Sequence, residues 1–211
     1  MRKQIFVSSY NDDLSFLNNS FLKDIEHVVY EKGKGDEAKS ILLADHTLSM
    51  EDLVEKSGNT YYLPNVGVCS QTFLYHIVKN YDDLADINFF IAGDCLEDNK
   101  HRGKPSSYYY QKMLDVSDDS VPYINICETT GNYPLRSNYR FFNKRMSEKW
   151  QELFNEPCPK KFCPAIDSTF MATKKAILSH PKSFYEKALS WIDERCYRED
   201  HWKMDYQGDI V

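Results

Sequence analysis

Ile87-Asn88-Phe89-Phe90-Ile91-Ala92-Gly93-Asp94 is the stretch that decides the fold. Its first six residues are almost all apolar and lack the alternation of a half-wet strand. Such a run reads as a strand covered on both faces, as in a parallel sheet with helices above and below. Gly93-Asp94 ends it with a turn signal. Just upstream, the apolar positions between Ser70 and Tyr81 are Phe73, Leu74, Ile77, Val78 and Tyr81. That spacing is an amphipathic helix. Downstream, Ser106–Leu114 reads as a second helix.

Further out, the same pattern repeats. Gln4–Ser8 is a short β-branched and aromatic run and reads as the first strand. Leu14, Leu17 and Phe21 follow at helical spacing, with Asn11 placed as an N-cap. Glu26–Tyr30 reads as a second strand, closed by Gly33-Lys34-Gly35. Ser40–Ala44 is a short apolar run of either type. Met50–Lys56 reads as a helix and Thr60–Leu63 as an extended segment. Tyr123–Cys127 and Ser168–Thr173 read as strands, and Tyr139–Phe154 as a long helix. Lys174–Ser179 and Ser183–Arg195 read as two helices parted by Pro181. Strands alternating with helices predict an α/β sandwich around a mostly parallel sheet. No repeat or linker interrupts it, so residues 1–211 read as one domain, and equally as the N-terminal part of a longer protein.

Composition sets outer bounds. The 211 residues include 26 Lys and Arg against 32 Asp and Glu, a formal net charge of −6. An acid excess argues against a reader of nucleic-acid backbone, which needs a basic face. Aromatic residues make up 14% of the chain, enough apolar surface to argue against disorder. No stretch has the length of a membrane span. The apolar run at the N-terminus, Ile5-Phe6-Val7, is too short for a signal-peptide core. Cys69, Cys95, Cys127, Cys158, Cys163 and Cys196 form no CxxC pair. Reduced thiols in a cytoplasmic compartment are therefore expected, and zinc is not. There is no G-x-S-x-G elbow, P-loop or G-x-G-x-x-G.

In open α/β sheets, ligands bind beyond the carboxyl ends of the strands. After the first strand stand Ser8, Ser9, Tyr10 and Asn11. They suit a nucleoside, with Tyr10 stacking on the base, or they simply start a capped helix. After the Ile87–Ala92 strand come Asp94, Glu97, Asp98, Lys100, His101, Arg102 and Lys104. Carboxylates suit Mg²⁺ or Mn²⁺, and the basic residues suit a diphosphate. The alternative is a solvated charged loop. Asp167 is a turn cap or a functional base, and Asp200 neighbours His201 in an Arg-Glu-Asp-His-Trp segment. His201 is a metal ligand, a general base or an ordinary surface or core group. Tyr61-Tyr62 and Tyr108-Tyr109-Tyr110 suit sugar contact or core packing.

The stretch Leu63-Pro64-Asn65-Val66-Gly67-Val68-Cys69, running through Ile77-Val78-Lys79-Asn80-Tyr81-Asp82-Asp83-Leu84, resembles a family of small proteins. In that family a P-N-x-G-R-E turn leads into a helix ending I-x-x-N-Y-D-x-L. Val68 and Cys69 stand where the family has Arg and Glu. Phe170–Ile177 followed by Phe184-Tyr185-Glu186 is similar to it as well. The resemblance extends to glycosyltransferases of the GT-A type, including the N-terminal glycosyltransferase domain of multidomain capsid-glycan enzymes of chlorella viruses. It implies a Rossmann-like GT-A sandwich and glycosyl transfer from a nucleotide sugar, by analogy a UDP-sugar, to a saccharide acceptor. It further implies viral glycan synthesis in the host cytoplasm and a divalent cation, Mn²⁺ or Mg²⁺. The nucleotide-binding set is then Ser8, Ser9, Tyr10, Asn11, Asn65 and Arg102. The metal set is Asp94, Glu97 and Asp98, and the catalytic set is Asp167, Asp200 and His201. Two rival expectations stand beside it: a metal-dependent phosphoesterase or nucleotidyltransferase, and a non-catalytic carbohydrate-binding module.

Overall fold

The computed structural model describes residues 1–20, 22–33, 50–65, 68–94, 106–116, 118–126, 148–159 and 169–197. Among them, seven strands form one sheet: β1 (Lys3–Ser9), β2 (Glu26–Glu31), β3 (Glu55–Ser57), β4 (Thr60–Tyr62), β5 (Ile87–Ala92), β6 (Tyr123–Asn125) and β7 (Phe170–Thr173). The spatial order is β3-β4-β2-β1-β5-β7-β6. The central four, β4, β2, β1 and β5, run parallel, with Phe6 opposite Val28 on one side and Phe90 on the other. β3, β7 and β6 join through antiparallel pairs. The helices are α1 (Val68–Lys79), α2 (Ser106–Asp115), α3 (helical over 148–154), α4 (Lys174–Ile177) and α5 (Lys182–Tyr197). This is the mostly parallel α/β sandwich that the sequence predicts.

The pleat explains the unbroken apolar runs. Ile5, Val7, Phe89 and Ile91 pack with Tyr109, Tyr110 and Met113 of α2 on one face. Phe6 and Phe90 point to the other face, against Phe73 and Ile77 of α1 and Tyr185 of α5. Both faces are therefore dry, and alternation disappears from the sequence. Two of the tyrosines in the 108–110 run are core residues, each 4% exposed.

Two local expectations fail. Leu14 and Leu17 do not lie on an α-helix: the chain makes a single 3-10 turn over Ser15–Asn18, with Leu17 buried. Asn11 is no N-cap, because its φ of 58° is left-handed and turns the chain aside before that turn. Met50–Lys56 is not a helix either. A 3-10 turn over Met50–Leu53 gives way to β3, which pairs back onto β4. The two-residue loop Gly58-Asn59, with Gly58 at φ 60°, closes that hairpin, and strand pairing overrides the weak helical tendency.

Candidate functional site

β1, β2, β4 and β5 all end at one edge of the sheet, because they run parallel. β1 lies between β2 and β5, so the chain leaves its two sides in opposite directions. Such a switch point opens a crevice beyond the strand ends. The strand ends are stitched together there: Gly93 N–H donates to Ser8 O at 2.8 Å, and Lys32 N–H donates to Ser9 O at 2.9 Å.

The loop leaving β1 is built around two carboxylates. Glu31, the last residue of β2, accepts from Ser9 Oγ at 2.7 Å, Asn11 N–H at 3.0 Å and Gly33 N–H at 2.6 Å. Asp12 accepts from Tyr10 N–H at 2.8 Å. The glycines at the neighbouring strand ends make room for this loop. A Cβ on Gly33 would overlap the Asn11 amide, and a Cβ on Gly93 would overlap the Asp12 carboxylate. Tyr10 stands between these anchors, 49% exposed at the crevice.

The expected nucleoside contacts therefore divide. Ser8 and Ser9 are buried, and their hydroxyls face inward: Ser8 Oγ donates to Thr72 Oγ1 of α1 at 3.0 Å, and Ser9 Oγ to Glu31. Tyr10 and Asn11 are exposed residues of the same loop, with the Asn11 amide against Gly33. Asn65 is half-buried between the end of β4 and the start of α1, on the same edge. Asp94 is exposed immediately after Gly93. Glu97, Asp98, Lys100, His101, Arg102, Lys104, Asp167, Asp200 and His201 lie outside the described residues. Among the described residues no three His, Cys, Asp or Glu side chains come together as a cation site. Of the proposed metal set, Asp94 alone is placed by the structure.

Glu31 and Asp12 were missed by sequence reasoning. Reading β2 one residue longer would have put Glu31 at a strand end, where ligand-side residues are sought. Asp12 carries no such signal, since its contact with Gly93 joins two loops far apart in sequence.

Beneath the crevice, α1 and β2 share a buried polar pair. Tyr30 Oη lies 2.6 Å from His76 Nδ1, and Asn80 Nδ2 lies 3.2 Å from the same nitrogen while donating to His76 O at 2.9 Å. Nδ1 is thus the acceptor, and the ring proton sits on Nε2, which is buried without a hydrogen-bond partner among the described residues. The His76 ring lies against Phe6, with centroids 3.5 Å apart. Burial pushes the imidazole down to about 3, so it is neutral. Burial, then the neighbouring phenols of Tyr61 and Tyr75, push the Tyr30 hydroxyl far up. On the opposite edge of the sheet, Asp86, Asp119, Lys174 and Lys175 line an open cleft in which the two charge signs balance.

A family model described as Protein of unknown function (DUF3431) matches residues 5–206. The chain belongs to this family. The DUF3431 match spans the β1 loop, Glu31, Asp94 and every other candidate residue from Ser8 to His201. No curated protein and no solved structure matches the chain.

Proposed function

We propose that this DUF3431 protein is a glycosyltransferase whose nucleotide-sugar donor enters the crevice beyond β1 and β5. The observation that carries this reading is the switch point with the half-exposed ring of Tyr10 held at its lip. Nucleotides bind at such points in open α/β sheets, and an aromatic face accepts any base by stacking. Ser8 and Ser9 keep the supporting role their burial assigns them, and Asn11, exposed on the same loop, is proposed for polar contact with the nucleoside.

The resemblance to GT-A enzymes supplies the finer proposal: a UDP-sugar donor, a glycan acceptor, and a capsid-glycan role in host cytoplasm. In the reaction the bond from the anomeric carbon to the diphosphate breaks while an acceptor oxygen bonds to that carbon. The acceptor proton passes to a base, and the nucleoside diphosphate leaves. Asp167 or Asp200 is proposed as that base, and Lys100, Arg102 and Lys104 as partners of the leaving diphosphate. Asp94, with Glu97 and Asp98, is proposed to hold a divalent cation, which would neutralise the diphosphate when bound.

Calorimetry with UDP, GDP and CMP, each with and without Mn²⁺, tests the reading. UDP binding that weakens on Asp94→Ala only when Mn²⁺ is present is expected. Binding of none of the three refutes the nucleotide proposal. Release of phosphate or pyrophosphate without sugar transfer favours a phosphoesterase or nucleotidyltransferase. Sugar binding that ignores both nucleotide and metal favours a carbohydrate-binding module.

No helix among the described residues is long and apolar enough to cross a membrane.

A further inference from the structure

Glu31 gathers donors from two different loops. Ser9 Oγ and Asn11 N–H belong to the loop after β1, and Gly33 N–H to the loop after β2. The strands themselves do not depend on it, since their ladder runs from Gln4 opposite Glu26 to Ser9 opposite Glu31, and Lys32 N–H extends it to Ser9 O. What the carboxylate adds is the shape of residues 9–11. Asn11 is held left-handed, at φ 58°, with its amide lying on Gly33. Asparagine tolerates that conformation, but extended backbone competes with it unless an anchor is present. Tyr10 sits between the two residues that Glu31 grips, and its own N–H is held by Asp12. Three hydrogen bonds take most of the roughly four acceptor sites of a carboxylate.

We propose that Glu31 is the positioning residue of the crevice: it fixes the loop that presents Tyr10 to the base and acts on ligand binding only through that ring. The proposal rests on the nucleotide reading above. It differs from direct contact between Glu31 and the ligand, and from a general contribution to stability.

A double-mutant cycle on the full chain separates these, with UDP affinity measured for wild type, Tyr10→Ala, Glu31→Ala and the double variant. Tyr10→Ala and Glu31→Ala are each expected to weaken UDP about tenfold. The double variant is expected to be no weaker than the worse single one. Losses that multiply to about a hundredfold overturn the proposal, because Glu31 would then act without Tyr10. Unchanged affinity in Glu31→Ala overturns it too. If Glu31→Ala does not fold, Glu31→Leu, which keeps the bulk but offers no acceptor to Asn11 and Gly33, carries the same cycle.

Amide exchange followed by NMR reads the latch without any ligand. Asn11 and Gly33 amides are expected to exchange about tenfold faster in the Glu31 variant while Lys32 stays protected. Equal protection at Asn11 and Gly33 in both proteins overturns the proposal. Should wild type bind none of the nucleotides, the nucleotide reading falls, and this exchange comparison alone decides whether Glu31 sets the loop.

Discussion

Replacing His76 with Phe removes a buried titratable ring while keeping an aromatic of similar shape against Phe6. In the folded chain the His76 pKa lies at about 3, pushed down by burial, against 6.5 for an ordinary imidazole. The folded state therefore resists a proton that the unfolded state accepts. Above pH ~6.5 neither state takes it, and stability does not depend on this group. As pH falls from there towards ~3, the unfolded state is favoured by about 1.4 kcal/mol per pH unit. By pH ~4.5 the His76 contribution to unfolding has reached about 2–3 kcal/mol. His76→Phe lacks this loss. At pH ~7.5 the variant leaves Tyr30 Oη without its acceptor, at a cost of about 1–3 kcal/mol, but it also removes the orphaned Nε2–H, which offsets a similar amount. The two proteins should then be within about 1 kcal/mol of each other near neutrality, and the variant should become the more stable one in acid. Urea unfolding followed by circular dichroism at several pH values measures this difference. The remaining histidines are common to both proteins and cancel in the comparison. Parallel stability–pH profiles would refute the assignment of a buried, neutral His76. The companion variant Tyr30→Phe/His76→Phe, with both partners apolar, should be more stable than His76→Phe at neutral pH, because it leaves no hydroxyl without an acceptor.

Other consequences are simpler. Tyr10→Ala should leave thermal stability within about 0.5 kcal/mol, since the ring is half-exposed, while weakening UDP about tenfold in calorimetry. Gly93→Ala should lose about 1–3 kcal/mol in urea unfolding and also weaken UDP, because its Cβ overlaps the Asp12 carboxylate and displaces the β1 loop. Phe89→Ala, at a fully buried site, should cost about 3–5 kcal/mol, read as a fall in the urea midpoint without a change in UDP affinity of the protein that remains folded.

The strands that were legible were those with no alternative. β1, β5 and β7 are short apolar runs that only a two-sided sheet interior buries, and α1 carries a clean stripe. β3 was not legible, since Glu55-Lys56-Ser57 is exposed throughout and has no apolar pattern to read. Its strand character comes from β4 alongside it, although Gly58-Asn59 was a usable hairpin signal. Leu14, Leu17 and Phe21 (the last outside the described residues) suggested a helix because three residues at the right spacing satisfy the pattern without the length that helix formation needs. The rule that ligand-side residues follow strands singled out Tyr10, Asn11 and Asp94, and the structure has all three exposed beyond the ends of β1 and β5.

Sequence alone determined the layered α/β architecture, the both-sides-buried centre of the sheet and the edge on which a ligand would be sought. These follow from apolar periodicity and chain order, which are local or one-dimensional properties. Tertiary structure decided which polar groups face the crevice. Ser8 and Ser9 look like ligand donors in one dimension, but Thr72 and Glu31 turn them inward. Glu31 and Asp12 look like ordinary surface acids until β2 and β5 bring Gly33 and Gly93 against the β1 loop. A hydroxyl or carboxylate has several possible partners of similar strength, and only the packed strands choose among them.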